Sequence, residues 1–137
     1  MFDGVFGASM LWKASKDGHV EYSCVNLRDF GIGPRKTVDD TPYGGGDGMV
    51  LMIEPLTKAV EHAKSIDPGA TVLLMTPRGN TWLQSKAKAY ADSGKGLIII
   101  CGRYEGYDER ITALVDEQIS IGNYVLTGGE LPAMTVV

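Results

Sequence analysis

Apolar residues in this chain fall into short unbroken runs separated by stretches of helical spacing. Thr71 to Met75 and Leu97 to Cys101 are such runs. Each suits a strand buried on both faces, as in a parallel sheet. Between them, Trp82, Leu83, Ala87 and Tyr90 line one face of a predicted helix. Asn80 or Thr81 can cap its start, and Ser93-Gly94 ends it. Thr71 to Cys101 therefore reads as strand, helix, strand, a crossover that implies a parallel pair.

The same logic extends in both directions. Leu56, Ala59, Val60, Ala63 and Ile66 form the buried face of a second helix, with Pro55 in its first turn and Asp67-Pro68-Gly69 as its stop. His62 falls on the solvated face, and Met49 to Ile53 is a strand or the lead-in to that helix. Phe2, Val5, Phe6 and Met10 recur at helical spacing, though Gly4 and Gly7 weaken the pattern. His19 to Val25 alternates and predicts a half-buried strand with Val20, Tyr22 and Cys24 inward and His19 outward. A short helix follows Asp108, with Ile111, Leu114 and Val115 inward and Asp108 and Glu109 at its positive end. The class is α/β, a mostly parallel sheet flanked by helices.

Ligands in open α/β sheets bind beyond the carboxyl ends of the strands. There the chain places Thr76-Pro77-Arg78-Gly79 after one run and Gly102 with the charged loop Arg103-Tyr104-Glu105-Gly106 after another. A further loop, Ser120 to Tyr124, precedes Val125-Leu126-Thr127-Gly128-Gly129. Together they predict one pocket with backbone amides and carbonyls on show. Asp29 to Gly48 is a long irregular segment, either a mobile surface loop or a substrate lid. As a lid, Arg35 and Lys36 would meet phosphate and Tyr43 would stack on a base.

Composition narrows the field. The 137 residues suit one domain, and 44% hydrophobic with 22% charged content is that of a globular protein. The 18 glycines gather in loops, where a missing Cβ permits tight turns and close backbone approach. The chain has no apolar run of membrane-spanning length and no visible signal peptide, so a cytoplasmic setting without membrane is expected. Cys24 and Cys101, distant and in apolar contexts, are expected as buried free thiols. A net charge of −4 is no footprint of a nucleic-acid binder, so a polyanion would have to meet a local basic patch, a second subunit or another domain.

Candidate chemistry is sparse. The glycines from Gly44 to Gly48 fit neither a dinucleotide fingerprint nor a P-loop. With 2 histidines and 2 cysteines, all far apart, zinc spacing is absent, whereas Mg²⁺ on one or two carboxylates stays open. Glu105 and Asp108 could cooperate as carboxylates, which three-residue spacing supports only weakly. Residue chemistry alone reaches an α/β ligand-binding domain with a pocket formed by several loops.

Three longer motifs go further. VDDTPYGGGDGM, CGRYEGYDER and SIGNYVLTGGELPAM, in that order, resemble the bacterial tRNA (guanine-N1)-methyltransferases of the TrmD type, in the SPOUT class. The resemblance covers nearly the whole chain. It implies a deep C-terminal trefoil knot and methyl transfer from S-adenosylmethionine to N1 of the guanine 3′-adjacent to the anticodon. It also implies a homodimer with tRNA as substrate. Carried over, the cofactor loops are Leu74, Met75, Thr76 and Pro77; then Gly102, Tyr104 and Glu105; then Ser120, Ile121, Gly122, Asn123, Tyr124, Val125 and Leu126, with Gly128 and Gly129 behind. Arg35, Lys36, Asp40, Tyr43, Gly45 and Gly46 are the substrate-side candidates. Glu105 is the internal candidate for electrostatic or metal help, and no residue is assigned as catalytic.

The chain departs from the family pattern in two ways. Asn123 stands where members usually carry aspartate, whose charge would help hold a cationic cofactor. The family also begins with an earlier strand and continues past the position of Val137, where its general-base aspartate, a supporting arginine and a small tRNA-gripping domain lie. Residues 1–137 are thus expected to form a partial SPOUT-like cofactor domain, weakly active or inactive alone. The alternatives are a cofactor-binding module without turnover and a purely structural, dimer-forming domain.

Overall fold

Along the central strand, Val72 and Leu74 pack into one hydrophobic cluster while Leu73 and Met75 pack into another on the opposite face. That split is why an unbroken apolar run is needed there: both faces are covered. The computed structural model describes residues 1–103 and 106–137. In chain order the elements are α1 (Phe2–Phe6), α2 (Ser9–Lys16), β1 (Asp39–Asp40), β2 (Val50–Leu51), α3 (Ile53–Ile66), β3 (Thr71–Thr81), α4 (Gln84–Ser93), β4 (Leu97–Cys101), β5 (Glu117–Ser120) and α5 (Glu130–Val136). Short 3-10 turns cover Leu27–Phe30 and Glu109–Leu114.

The main sheet has the order β4-β3-β5, and both pairings are parallel. On one face, Leu56 and Val60 of α3 and Ile111 of the second 3-10 turn pack against Val72, Leu74 and Ile100. On the other, Ala133 and Val136 of α5 pack with Leu73, Met75 and Ile119, bordered by Phe2, Trp82 and Tyr90. The expected parallel β3–β4 pair, the α3 helix and its stop before Asp67 are all present. Gly94 closes α4 in the left-handed region at φ 65°, where a side chain would be strained.

Several expectations fail. His19 to Val25 forms no strand: alternation makes a ladder only where a second strand pairs with it, none of the described strands does, and Tyr22 is held instead by stacking on Phe6 at 4.4 Å. Cys24 is consequently exposed rather than buried. Neither Asn80 nor Thr81 caps α4, because β3 runs on: Thr81 pairs with Ser120, and the Trp82 amide donates to the Ser120 carbonyl at 2.7 Å. Leu83, just before the helix, is 56% exposed, and Ile66 in the last turn of α3 is 60% exposed. The long 29–48 segment is partly structured. Ile32 bridges Thr37, β1 pairs antiparallel with β2, and Val38 is buried in the core.

Candidate ligand-binding site

The strand β3 loses its register just past the apolar run. Met75 and Asn80 both lie opposite Ile119, so the four residues between them stand out of the ladder. Thr76 to Gly79, expected as a loop after the apolar run, thus arches out of the sheet although its backbone stays extended. Gly79 permits the arch to sit on β5: a Cβ there would stand 2.5 Å from the Ile119 amide nitrogen.

Beside that arch in β3 and the carboxyl ends of β4 and β5 is a cavity of about 380 Å³. Its volume lies in the range of small-molecule sites, about 300–1,000 Å³. Thr76, Pro77 and Arg78 supply one wall, Gly102, Arg103 and Tyr107 a second, and Ser120 to Gly122 with Tyr124 to Gly129 a third. Ile119 and Pro132 close the floor and edge. The third wall starts from a local fold: the buried Ser120 hydroxyl donates to the Gly122 carbonyl at 2.8 Å and accepts from the Gly122 amide at 3.2 Å. It ends by crossing the tip of β4, where the Gly129 amide donates to the Gly102 carbonyl at 2.7 Å.

The charged groups nearby have defined partners. Arg103 Nε bonds Glu130 Oε1 at 2.5 Å, and Arg78 pairs with Glu109 at 2.7 Å. Burial pushes the Cys101 thiol up to about 12, and the Glu130 carboxylate adds to the shift. Burial likewise raises the Tyr107 phenol, with the Thr76 hydroxyl opposing it. Asp108 does not face the cavity. Its carboxylate accepts from the Arg110 guanidinium at 2.9 and 2.6 Å and from the Arg110 amide at 3.0 Å, which holds it below the usual range despite some desolvation. It is a structural cap, and its expected cooperation with Glu105 concerns a residue outside the described ones, as does Tyr104.

Of the expected cofactor residues, Met75, Thr76, Pro77, Gly102, Ser120, Ile121, Gly122, Tyr124, Val125, Leu126, Gly128 and Gly129 do line this cavity. Leu74 is buried in the core below, and Asn123 is exposed outside the lining. Arg78, Arg103, Gly106 and Thr127, which lie in the expected pocket loops but were not among the carried-over cofactor residues, also line it, as do Tyr107, Ile119 and Pro132, each close in sequence to one of those loops. Arg35, Lys36, Asp40, Tyr43, Gly45 and Gly46 line none of it. Lys36 pairs with Asp29 at 3.7 Å, Asp40 accepts from the Thr41 amide at 2.7 Å, Gly45 sits in a turn closed on Pro42, and Tyr43 is wholly exposed. Among the described residues, no group of histidine, cysteine and carboxylate side chains could hold a metal ion. No described helix is long and apolar enough to cross a membrane.

Comparison with known proteins converges on one group. The whole chain, residues 1–137, matches the family described as tRNA (Guanine-1)-methyltransferase TrmD. It is 50% identical over 137 residues to a tRNA (guanine-N(1)-)-methyltransferase of Myxococcus xanthus, covering 100% of this chain and 56% of that protein. Its counterpart in Geobacillus kaustophilus is 49% identical over 138 residues, with the same coverage of 100% and 56%. The crystal structure of the tRNA (m1G37) methyltransferase from Aquifex aeolicus superposes with a TM-score of 0.87 at 37% identity, covering 98% of this chain and 61% of that one. The chain therefore spans about half the length of the curated relatives it matches. With its full length matched, a parallel α/β core in common and identity near one half, the chain belongs to the tRNA (guanine-1)-methyltransferase TrmD family.

Proposed function

We propose that residues 1–137 provide the S-adenosylmethionine pocket of a tRNA methyltransferase acting on N1 of the guanine 3′-adjacent to the anticodon. The observation that carries this is the cavity itself, built beside the arch of β3 and the ends of β4 and β5 and walled by the three segments in which the resemblance places the cofactor loops. The residues present fit the cofactor. Ile119, Ile121, Leu126 and Pro132 offer an apolar bed for a flat base, and the loop backbones offer donors and acceptors for its polar edge. When bound, the cofactor supplies an electrophilic methyl group on a sulfonium centre.

The chain's own part is to bind, orient and exclude water. The arch at Thr76–Arg78 and the wall formed by Ser120–Gly122 and Tyr124–Leu126 would hold the ligand between them, and such positioning is a large share of catalysis. Arg35, Lys36 and Tyr43 are exposed as a phosphate- and base-contacting lid requires. Guanine N1 carries a proton at neutral pH, and a carboxylate acceptor for it is assigned to the family's continuation beyond this span. Glu105 is kept as the internal candidate for electrostatic or Mg²⁺ help, with no catalytic role assigned to it. A trefoil knot is the reading of the third wall, which is consistent with its crossing of β4 and the bridge between Arg103 and Gly128. Homodimerisation and a cytoplasmic setting complete the proposal.

Calorimetry with S-adenosylmethionine and S-adenosylhomocysteine tests the pocket, and labelled methyl transfer to unmodified tRNA tests the reaction. Both ligands should bind to residues 1–137. Turnover should fall about 10²–10⁴-fold below that of a protein of the relatives' full length, the usual contribution of general-base assistance. Absence of binding by either ligand at millimolar concentration rejects the pocket. Turnover of the short polypeptide within about tenfold of the long one rejects the external base.

A further inference from the structure

We propose that Arg103 and Glu130 form a clasp that fastens the third wall of the cavity to the end of β4, so that Glu130 is a positioning residue for the ligand without touching it. The proposal deepens the reading of the cavity as the cofactor pocket and rests on it for its ligand.

Three contacts converge on this point. The Arg103 guanidinium bonds the Glu130 carboxylate at 2.5 Å. The backbone of Arg103 bridges Gly128 antiparallel, and the Gly129 amide donates to Gly102. The carboxylate side chain is 13% exposed, whereas the guanidinium side chain is 55% exposed. A carboxylate so withdrawn from water needs its charged partner: losing Arg103 leaves it poorly solvated, while losing Glu130 frees the exposed guanidinium to leave the wall. Arg103 lines the cavity and Glu130 does not, so the carboxylate acts only through its partner.

The sequence Gly128-Gly129-Glu130 then acquires a reason apart from ligand approach. A Cβ on Gly128 would stand 2.3 Å from Glu130 Oε2, so that glycine makes room for the clasp carboxylate. A Cβ on Gly129 would stand 2.8 Å from Cys101 Cα, so that glycine lets the wall lie directly on β4. Both glycines serve contact between protein segments.

The test compares wild type with Glu130→Gln, Arg103→Gln and the reversed pair R103E/E130R. Dissociation of S-adenosylhomocysteine is followed by stopped flow, with thermal unfolding alongside. Each single variant should release the ligand about fivefold faster, the scale of a partly exposed charged contact. Its melting temperature should change by no more than about 4 °C, the shift expected from less than about 1 kcal/mol in a chain of this size. The reversed pair should recover much of the loss, which a merely structural effect of either side chain would not produce. Wild-type release rates in Glu130→Gln, or a reversed pair no better than the singles, overturn the clasp. Hydrogen exchange at the Gly129 amide, measured without ligand, separates the clasp from the pocket reading. Faster exchange in Glu130→Gln supports the clasp even if wild type binds no S-adenosylhomocysteine, and unchanged exchange overturns it.

Discussion

Gly129 lies across Cys101 so closely that a Cβ on the glycine would sit 2.8 Å from the Cα of the cysteine and 2.9 Å from the next amide nitrogen. These neighbours are backbone atoms of a sheet strand and its end, so they yield little. Gly129→Ala should therefore destabilise the fold by about 1–3 kcal/mol, the usual range for overpacking. Gly128→Ala meets chiefly the flexible end of the Glu130 side chain and should lose less than about 1 kcal/mol. Urea unfolding of the two variants checks the order, and equal losses would contradict it.

Gly102 faces the ring of Tyr107, and a methyl group in place of its hydrogen would stand 3.2 Å from the nearest ring carbon. Gly102→Val adds branches at that spot, on a residue that lines the cavity. Calorimetry should find S-adenosylmethionine binding abolished. Wild-type affinity in the variant would remove Gly102 from the site.

Ionisation predicts a stability plateau with two limbs. Burial acts to raise the Glu117 carboxyl, but hydrogen bonds from Lys86, from Tyr90 at 2.6 Å and from Asn80 at 3.4 Å outweigh it and hold the group below its ordinary value. Its contribution is present above the unfolded glutamate value of about 4.3 and is lost as pH falls through the lower folded value. Tyr90 is pushed from 10.0 up to about 12, first by burial and then by Glu117. Its contribution is whole below 10.0 and disappears as pH rises toward about 12. Cys101, raised from 9.0 to about 12, adds to the same alkaline limb. Urea midpoints against pH should show a flatter acid limb for Glu117→Gln and a shallower alkaline limb for Tyr90→Phe. An acid limb unchanged by Glu117→Gln would reject the assignment.

The two thiols should react at very different rates. Cys24 is exposed, while Cys101 is half-buried with its thiol pushed up to about 12. At pH 8 an alkylating reagent should modify Cys24 far faster, because Cys101 is half-buried and the thiolate is the reactive species. Peptide mass spectrometry reads the ratio, and denaturant should erase it. Comparable rates in the native protein would mean that Cys101 is open to solvent.

Association is expected from the surface. Val125, in the third wall, is 80% exposed, and Leu131, just after it in sequence, is 55% exposed, and a partner's surface would take such apolar side chains out of water. A second copy would also help an acidic chain gather positive potential for RNA. Sedimentation should find a dimer at micromolar concentration. A monomer alone at high micromolar concentration would refute the homodimer.

The sequence by itself determined the elements whose partners are near or whose pattern is decisive. The runs at Thr71–Met75 and Leu97–Cys101 were legible as strands covered on both faces, because unbroken apolar stretches with so few polar groups need such cover; that β3 is central and β4 at the sheet's edge was not legible. The glycine-bearing segments after them were legible as cavity walls for a related reason: strand ends are where loops gather. Tertiary structure decided the rest. Alternation at His19–Val25 could not reveal that none of the described strands pairs with it, since pairing is a long-range property. The extension of β3 to Thr81 depends on Ser120, and the arch at Thr76–Gly79 depends on Ile119 facing two residues at once. The burial of Glu130 against Arg103, 27 positions earlier, required the chain to cross β4, a separation that local pattern does not register. Periodicity reports which face a residue shows, while packing alone reports what that face meets.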